Sequence, residues 1–179
     1  MMRVRSQFFG DKRGIAAVEF ALIAPVLIAM LFGIVEVCNA LVCREKVTAV
    51  SASIADIVTQ EATVSQAEID NIFSTVNSLV YPYPQAGITI VVSSIVEKVK
   101  GVPGMYVVDW SSAQNGAPRA KGSSISVPEG LVTQGGSVVL AEVSYTYNSS
   151  TSHYITGPIA MTDSFYARPR RSTEVLYTP

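Results

Sequence analysis

An apolar run from Ile15 to Cys43, IAAVEFALIAPVLIAMLFGIVEVCNALVC, is the feature that most constrains this chain. As a helix it spans roughly 43 Å, more than the ~30 Å hydrocarbon core of a bilayer. No lysine or arginine interrupts it, so it is expected to insert as one transmembrane helix. Arg3, Arg5, Lys12 and Arg13 precede it against a single acid, Asp11; Arg44, Glu45 and Lys46 follow it. The positive excess ahead of the run places the N-terminus in the cytoplasm and the remainder on the far side. A cleaved secretory signal fits poorly. Its apolar core would be about 7–15 residues followed by a small-x-small site, and no lipoprotein cleavage box precedes Cys38 or Cys43.

The length of 179 residues suits one modest domain beside that segment. The charged fraction, 15%, lies below the roughly 25% of soluble domains. Mean hydropathy is positive, and the early block supplies most of it. A net charge of −1 offers nucleic acid no whole-chain attraction. Cys38 and Cys43, on one helix, project in different directions and are poorly placed for an intrachain disulfide. The single histidine, His153, lies in a Ser/Thr-rich loop, so no Cys/His cluster exists to hold a metal. Gly135-Gly136 lacks the lysine of a phosphate loop, and no GxSxG elbow occurs. Asp56, Asp109, Glu142 and Asp163 are scattered and read as surface or capping carboxylates. Neither an enzyme nor a cofactor is expected.

Inside the run, Glu19 is the informative residue. A carboxylate in a membrane helix costs roughly 2.5–3.5 kcal/mol on insertion scales, so it has a partner or reaches the headgroups. Arg13-Gly14 followed by Ile15-Ala16-Ala17-Val18-Glu19-Phe20 resembles the processing site of type IV prepilins. In that family a membrane peptidase cuts after a glycine, and a glutamate stands fifth in the mature chain. The resemblance implies a cut between Gly14 and Ile15, and an assembly role for Glu19 opposite the new amine of a neighbouring subunit. With Pro25 and Phe32-Gly33, the stretch Gly14–Glu36 is similar to the N-terminus of TadE/TadG-like proteins, minor pilins or pseudopilins of the tight-adherence (Tad, Flp) pilus. ADIVTQ (55–60), AEVSYTY (141–147) and FYARPRRS (165–172) extend the similarity. Pro25 removes one helix hydrogen bond and is expected to kink the helix, either for packing or as a tolerated bend. Glu36, about 31 Å along the helix from Ile15, is expected near the outer interface and solvated.

Beyond Arg44 the helical pattern continues, with Val47, Val50, Ile54 and Ile57 or Val58 as an apolar stripe. Ser65–Leu79 reads as a second helix, capped by Ser65 and Glu68, with Ile69, Ile72, Phe73, Val76 and Leu79 inward. Tyr81-Pro82-Tyr83-Pro84 ends it. Strands are expected at 88–99, 105–110, 125–127, 137–147 and 158–167, with loops at 111–122 and around 148–154. The fold class is therefore α+β: a long N-terminal transmembrane helix continuing into a small pilin-like domain with a second helix and a four- to five-stranded antiparallel sheet. Its divisions are a leader (1–14), a transmembrane helix (15–43) and an external domain (44–179).

Arg168, Arg170 and Arg171 form a local basic patch, read either as a solvated strand end or as a docking point for an acidic partner. Tyr145, Tyr147, Tyr166 and Tyr177 fit half-buried sheet positions. The resemblance implies a prepilin peptidase, other pilin and pseudopilin subunits, the inner-membrane assembly platform and the lipid bilayer as partners. It also implies a bacterial inner-membrane protein with a periplasmic domain, active in pilus assembly and surface adhesion. The alternative is an uncleaved, membrane-anchored scaffold or binding module of a secretion or pilus channel.

Overall fold

The structure, a computed structural model, describes residues 14–99, 104–149 and 157–178. The leader up to Arg13, the 101–103 turn and His153 lie outside these. Helix α1 runs from Ile15 to Gln60, through Pro25. Strand β1 (Thr63–Ser65) and helix α2 (Gln66–Asn77) follow. Then come β2 (Ile88–Glu97), β3 (Tyr106–Gln114), β4 (Ser124–Ile125), β5 (Ser137–Tyr147), β6 (Ile159–Ala167) and β7 (Leu176–Thr178). The chain divides into two compact units, Met1–Asn39 and Ala40–Pro179.

In the first unit the large apolar side chains of α1 stand exposed, among them Phe20, Leu22, Val26, Met30 and Phe32. A helix apolar on every side needs apolar surroundings, lipid or other helices, to be stable. It is the one described helix long and apolar enough to cross a membrane. Glu36 corrects an expectation: it is 1% exposed rather than solvated. Helix length fixes depth along the axis but not the direction in which a side chain leaves it.

In the second unit α1 is apolar on one side only. Val47, Val50, Ile54 and Val58 are buried, whereas Ile57 is half-buried. They share one core with Ile69, Phe73 and Val76 of α2 and with Ile88, Ile90, Val92, Val139, Ala141, Val143 and Tyr145 of the sheet. That sheet has five antiparallel strands in the order β4-β3-β2-β5-β6. Alternation along β2 puts Ile88, Ile90 and Val92 on the helix side. The same alternation puts Ile95 on the other face, in a second cluster with Tyr106, Val127, Val132, Val138 and Leu140. The register shift opposite Ser94 and Ile95 leaves Asp109 of β3 as an extra residue, so that Tyr106 joins this cluster while Trp110 stays in the first. Cys43 lies in the main core, so the apolar run and the core of the second unit overlap over Ala40–Cys43.

Four details differ from expectation. β3 continues through Ser111–Gln114 rather than ending at Trp110, since Ser111 and Ser112 pair with Ser93 and Val92, and Ser111 Oγ donates to the Val92 carbonyl (3.0 Å). α2 tightens into a 3-10 turn over Ser78–Val80, which buries Val80 and leaves Leu79 41% exposed. β1 and β7 form a separate parallel pair, Thr63 opposite Leu176. Finally, the C-terminal segment straps the domain together. Trp110 Nε1 donates to the buried Val175 carbonyl at 2.7 Å, and Tyr177 stacks on Trp110.

The cap of α2 is formed as expected: Glu68 N donates to Ser65 Oγ (3.3 Å), and Ser65 N donates to Glu68 Oε2 (2.7 Å). The Ser65 amide, then its hydroxyl, hold the Glu68 carboxyl below its ordinary range. A lowered folded pKa contributes stability above the unfolded value that is lost as pH falls through the folded one. Ser65→Ala is therefore expected to cost about 1 kcal/mol of domain stability at neutral pH. Thermal melts should also show a smaller loss of Tm in Glu68→Gln than in the parent between about pH 6 and pH 3.

Candidate functional site

The N-terminal segment is built by the start of α1. Gly14 is in 3-10 conformation immediately before the helix begins at Ile15. A Cβ at Gly14 would meet nothing within 4 Å, and its φ lies outside the left-handed range. Nothing described in the fold thus requires glycine there. Glu19, one helical turn after Ile15, is exposed. Among the described residues it has no ion-pair or hydrogen-bond partner. Pro25 has no amide hydrogen to donate to the Ala21 carbonyl, and its neighbours Val26 and Leu27 are exposed. Gly14, Ile15 and Glu19 therefore share one short stretch of helix start, with apolar side chains around them.

The C-terminal arginines are placed elsewhere, in the Ala40–Pro179 unit, and each is engaged there. Arg168 donates to the Leu131 and Gly130 carbonyls. Arg170 pairs with Asp56 of α1, and its amide donates to the Thr59 carbonyl (2.9 Å). Arg171 approaches Glu61 at 3.9 Å. Arg170 and Arg171 remain 65% and 71% exposed, so their outer faces are open while their inner contacts fix the C-terminal strap to α1.

The carboxylates also act within the domain. Glu142 accepts a two-pronged contact from Arg119 (Nε to Oε2 2.9 Å, Nη2 to Oε1 2.7 Å), which holds the guanidinium pKa above its ordinary value. Asp109 pairs with Lys121 at 3.1 Å, and Ser51 Oγ on α1 donates to Asp163 Oδ2 at 2.7 Å. That last contact joins residues 112 positions apart, and no sequence signal points to it. The depression lined by Thr89, Arg119, Glu142, Ser144 and Thr162 contains the Arg119–Glu142 pair, so its two opposite charges already satisfy each other. Tyr145 and Tyr147 are buried, whereas Tyr166 and Tyr177 are half-buried; burial raises the Tyr145 phenol pKa. Both cysteines are free, Cys38 exposed and Cys43 buried. Among the described residues no His, Cys, Asp and Glu group of three is arranged for a metal.

Residues 14–56 match the family model of TadE-like protein. The match starts at Gly14, spans the exposed apolar part of α1 and ends four residues before the helix does. No curated protein and no solved structure matches the chain.

The contacts of Arg170 imply a structural share for it whatever else it binds. A double-mutant cycle of Asp56→Asn and Arg170→Ala, read by chemical denaturation, is expected to give a coupling of about 0.2–1 kcal/mol, as for other exposed pairs. A coupling of zero would show that the pair does not hold the strap.

Proposed function

We propose that this chain, TadE-like over residues 14–56, is a minor pilin or pseudopilin of a tight-adherence pilus, cut by a prepilin peptidase after Gly14. The observation that carries the reading is Glu19: an exposed carboxylate without a described partner, at the start of a helix otherwise apolar on every side. A lone carboxylate is costly at membrane depth. A cut after Gly14 would leave an amine on Ile15, at a helix end whose dipole already carries partial positive charge. In an apolar setting that amine needs an acid, and Glu19 of a neighbouring subunit supplies one. The amine and the carboxylate of one chain are a helical turn apart, and between molecules brought side by side the same two groups can pair across the contact, which makes them a device for assembly.

Gly14 supports the same reading from the other side. Its surroundings are open, so its value lies in the bond it forms with Ile15. A residue with no side chain lets the backbone enter a narrow protease site. Partners on this reading are the peptidase, other pilin and pseudopilin subunits, the assembly platform of the inner membrane and the bilayer. The leader is cytoplasmic and the external domain periplasmic, by the positive-inside rule. We assign the open faces of Arg170 and Arg171 to an acidic surface of another pilus component.

N-terminal sequencing of the protein from its own cells tests processing directly. The expected first residue is Ile15, and Gly14→Val should leave the leader attached. A native protein that keeps its leader would instead support the uncleaved scaffold reading. For Glu19, insertion and assembly are expected to separate. Glu19→Ala should insert into membranes as well as the parent or slightly better, since a charge near the end of the apolar helix is removed, yet its recovery with partner subunits should fall. Normal recovery in a pull-down from solubilised membranes would rule out the charge pair.

A further inference from the structure

The loop after α2 lies at the end of the external unit where α1 leaves its apolar run. Lys46 Nζ donates to the Leu79 carbonyl at 3.3 Å. The contact ties the loop to the turn of α1 that follows Cys43. Tyr83 N donates to the Val80 carbonyl (3.0 Å) and Tyr81 N to Ser78 (3.2 Å), which gives the loop a defined shape. Tyr83 packs edge-on against buried Tyr147, with ring centres 5.8 Å apart, and Cys43, Tyr145 and Tyr147 share one core. All of this belongs to the Ala40–Pro179 unit.

Anchored in this way, the loop turns its apolar side chains outward. Leu79 is 41% and Tyr81 75% exposed, and Pro82 and Pro84 are exposed beside them. The depth of this site follows from the helix. A bilayer with its headgroups is about 40–45 Å thick, and a helix over Ile15–Cys43 is roughly 43 Å long. Cys43 and the turn after it therefore fall at headgroup level on the domain side. Tyrosine is favoured there because its ring is apolar and its hydroxyl is wet. Exposed Arg44 and half-buried Lys46, with Glu45 between them, leave a net positive rim that matches anionic headgroups.

We propose that the Leu79–Pro84 loop is a lipid contact of the external domain, with Leu79 and Tyr81 seated among the headgroups and Arg44 and Lys46 drawn to their phosphates. The contact rests on the membrane-anchored reading. It limits rotation of the domain on its helix while the subunit is in the bilayer, and it must be broken for the subunit to leave.

Full-length protein reconstituted in vesicles of phosphatidylcholine and phosphatidylglycerol, with bromine on the acyl chains close to the headgroups, tests it. Three tryptophan variants are read against Trp110, the sole native tryptophan, which is buried and gives a constant background. Phe32→Trp, about 26 Å along the helix from Ile15 and so near mid-bilayer, is read in companion vesicles with bromine deep in the acyl chains and reports helix insertion. Glu129→Trp reports the opposite end of the sheet, beside Tyr106. Tyr81→Trp reports the loop. Quenching of Tyr81→Trp at least about twofold greater than that of Glu129→Trp, with blue-shifted emission, is the expected interfacial signature. Equal quenching of those two while Phe32→Trp is strongly quenched would overturn the lipid contact and leave the anchor standing. Absence of quenching at Phe32→Trp would overturn both. Removing phosphatidylglycerol should weaken the Tyr81→Trp signal; indifference to it would overturn the role given to Arg44 and Lys46.

Discussion

One helix that must satisfy two solvents sets the terms for the rest of this molecule. Over its first half α1 exposes leucine, isoleucine, valine and phenylalanine on every side. Over its second half it buries a single stripe, Val47, Val50, Ile54 and Val58, against the sheet. Because the backbone is continuous from Ile15 to Gln60, the side-chain pattern alone marks where one environment gives way to the other. The sheet supplies β-branched residues at every second position to match that stripe, as a half-buried strand surface should. Ser51 at this interface is paired with Asp163, whereas Ser94 Oγ and Asn77 Oδ1 are buried without a hydrogen bond among the described residues.

The Ala40–Pro179 unit closes on itself through its last residues. Val175 enters the core, its carbonyl accepts from Trp110, and the chain beyond it pairs with β1. The same strap brings Arg170 and Arg171 to Asp56 and Glu61 near the end of α1. Basic residues that read as a docking patch in one dimension thus have a first use in holding the C-terminus to the helix. Their open faces come second.

The N-terminal segment contrasts with this economy of contacts. Gly14 and Glu19 make no described contact that explains them, whereas Asp56, Asp109, Glu142 and Asp163 of the second unit are each paired. Side chains that a fold does not use internally are where intermolecular chemistry is to be sought. This is why the processing and assembly reading rests on these residues, and why the match over residues 14–56 and the local chemistry point the same way.

The membrane segment, the stripe on α1, the Ser65–Glu68 cap and the main strands were all legible in the sequence, because each is carried by local periodicity or by neighbours three or four residues apart. The candidate site was legible for the same reason: Gly14, Ile15 and Glu19 fall within a single helical turn and its approach. What only the tertiary structure decided were pairings with no local signature. They are the β1–β7 ladder, the Trp110–Val175 bond, the continuation of β3 through Ser111–Gln114 and the outward turn of Leu79. Each depends on which distant backbone or side chain is within reach. Periodicity records which face of an element is apolar, but a hydrogen bond between residues 65 or 112 positions apart exists only once the chain has closed the loop between them.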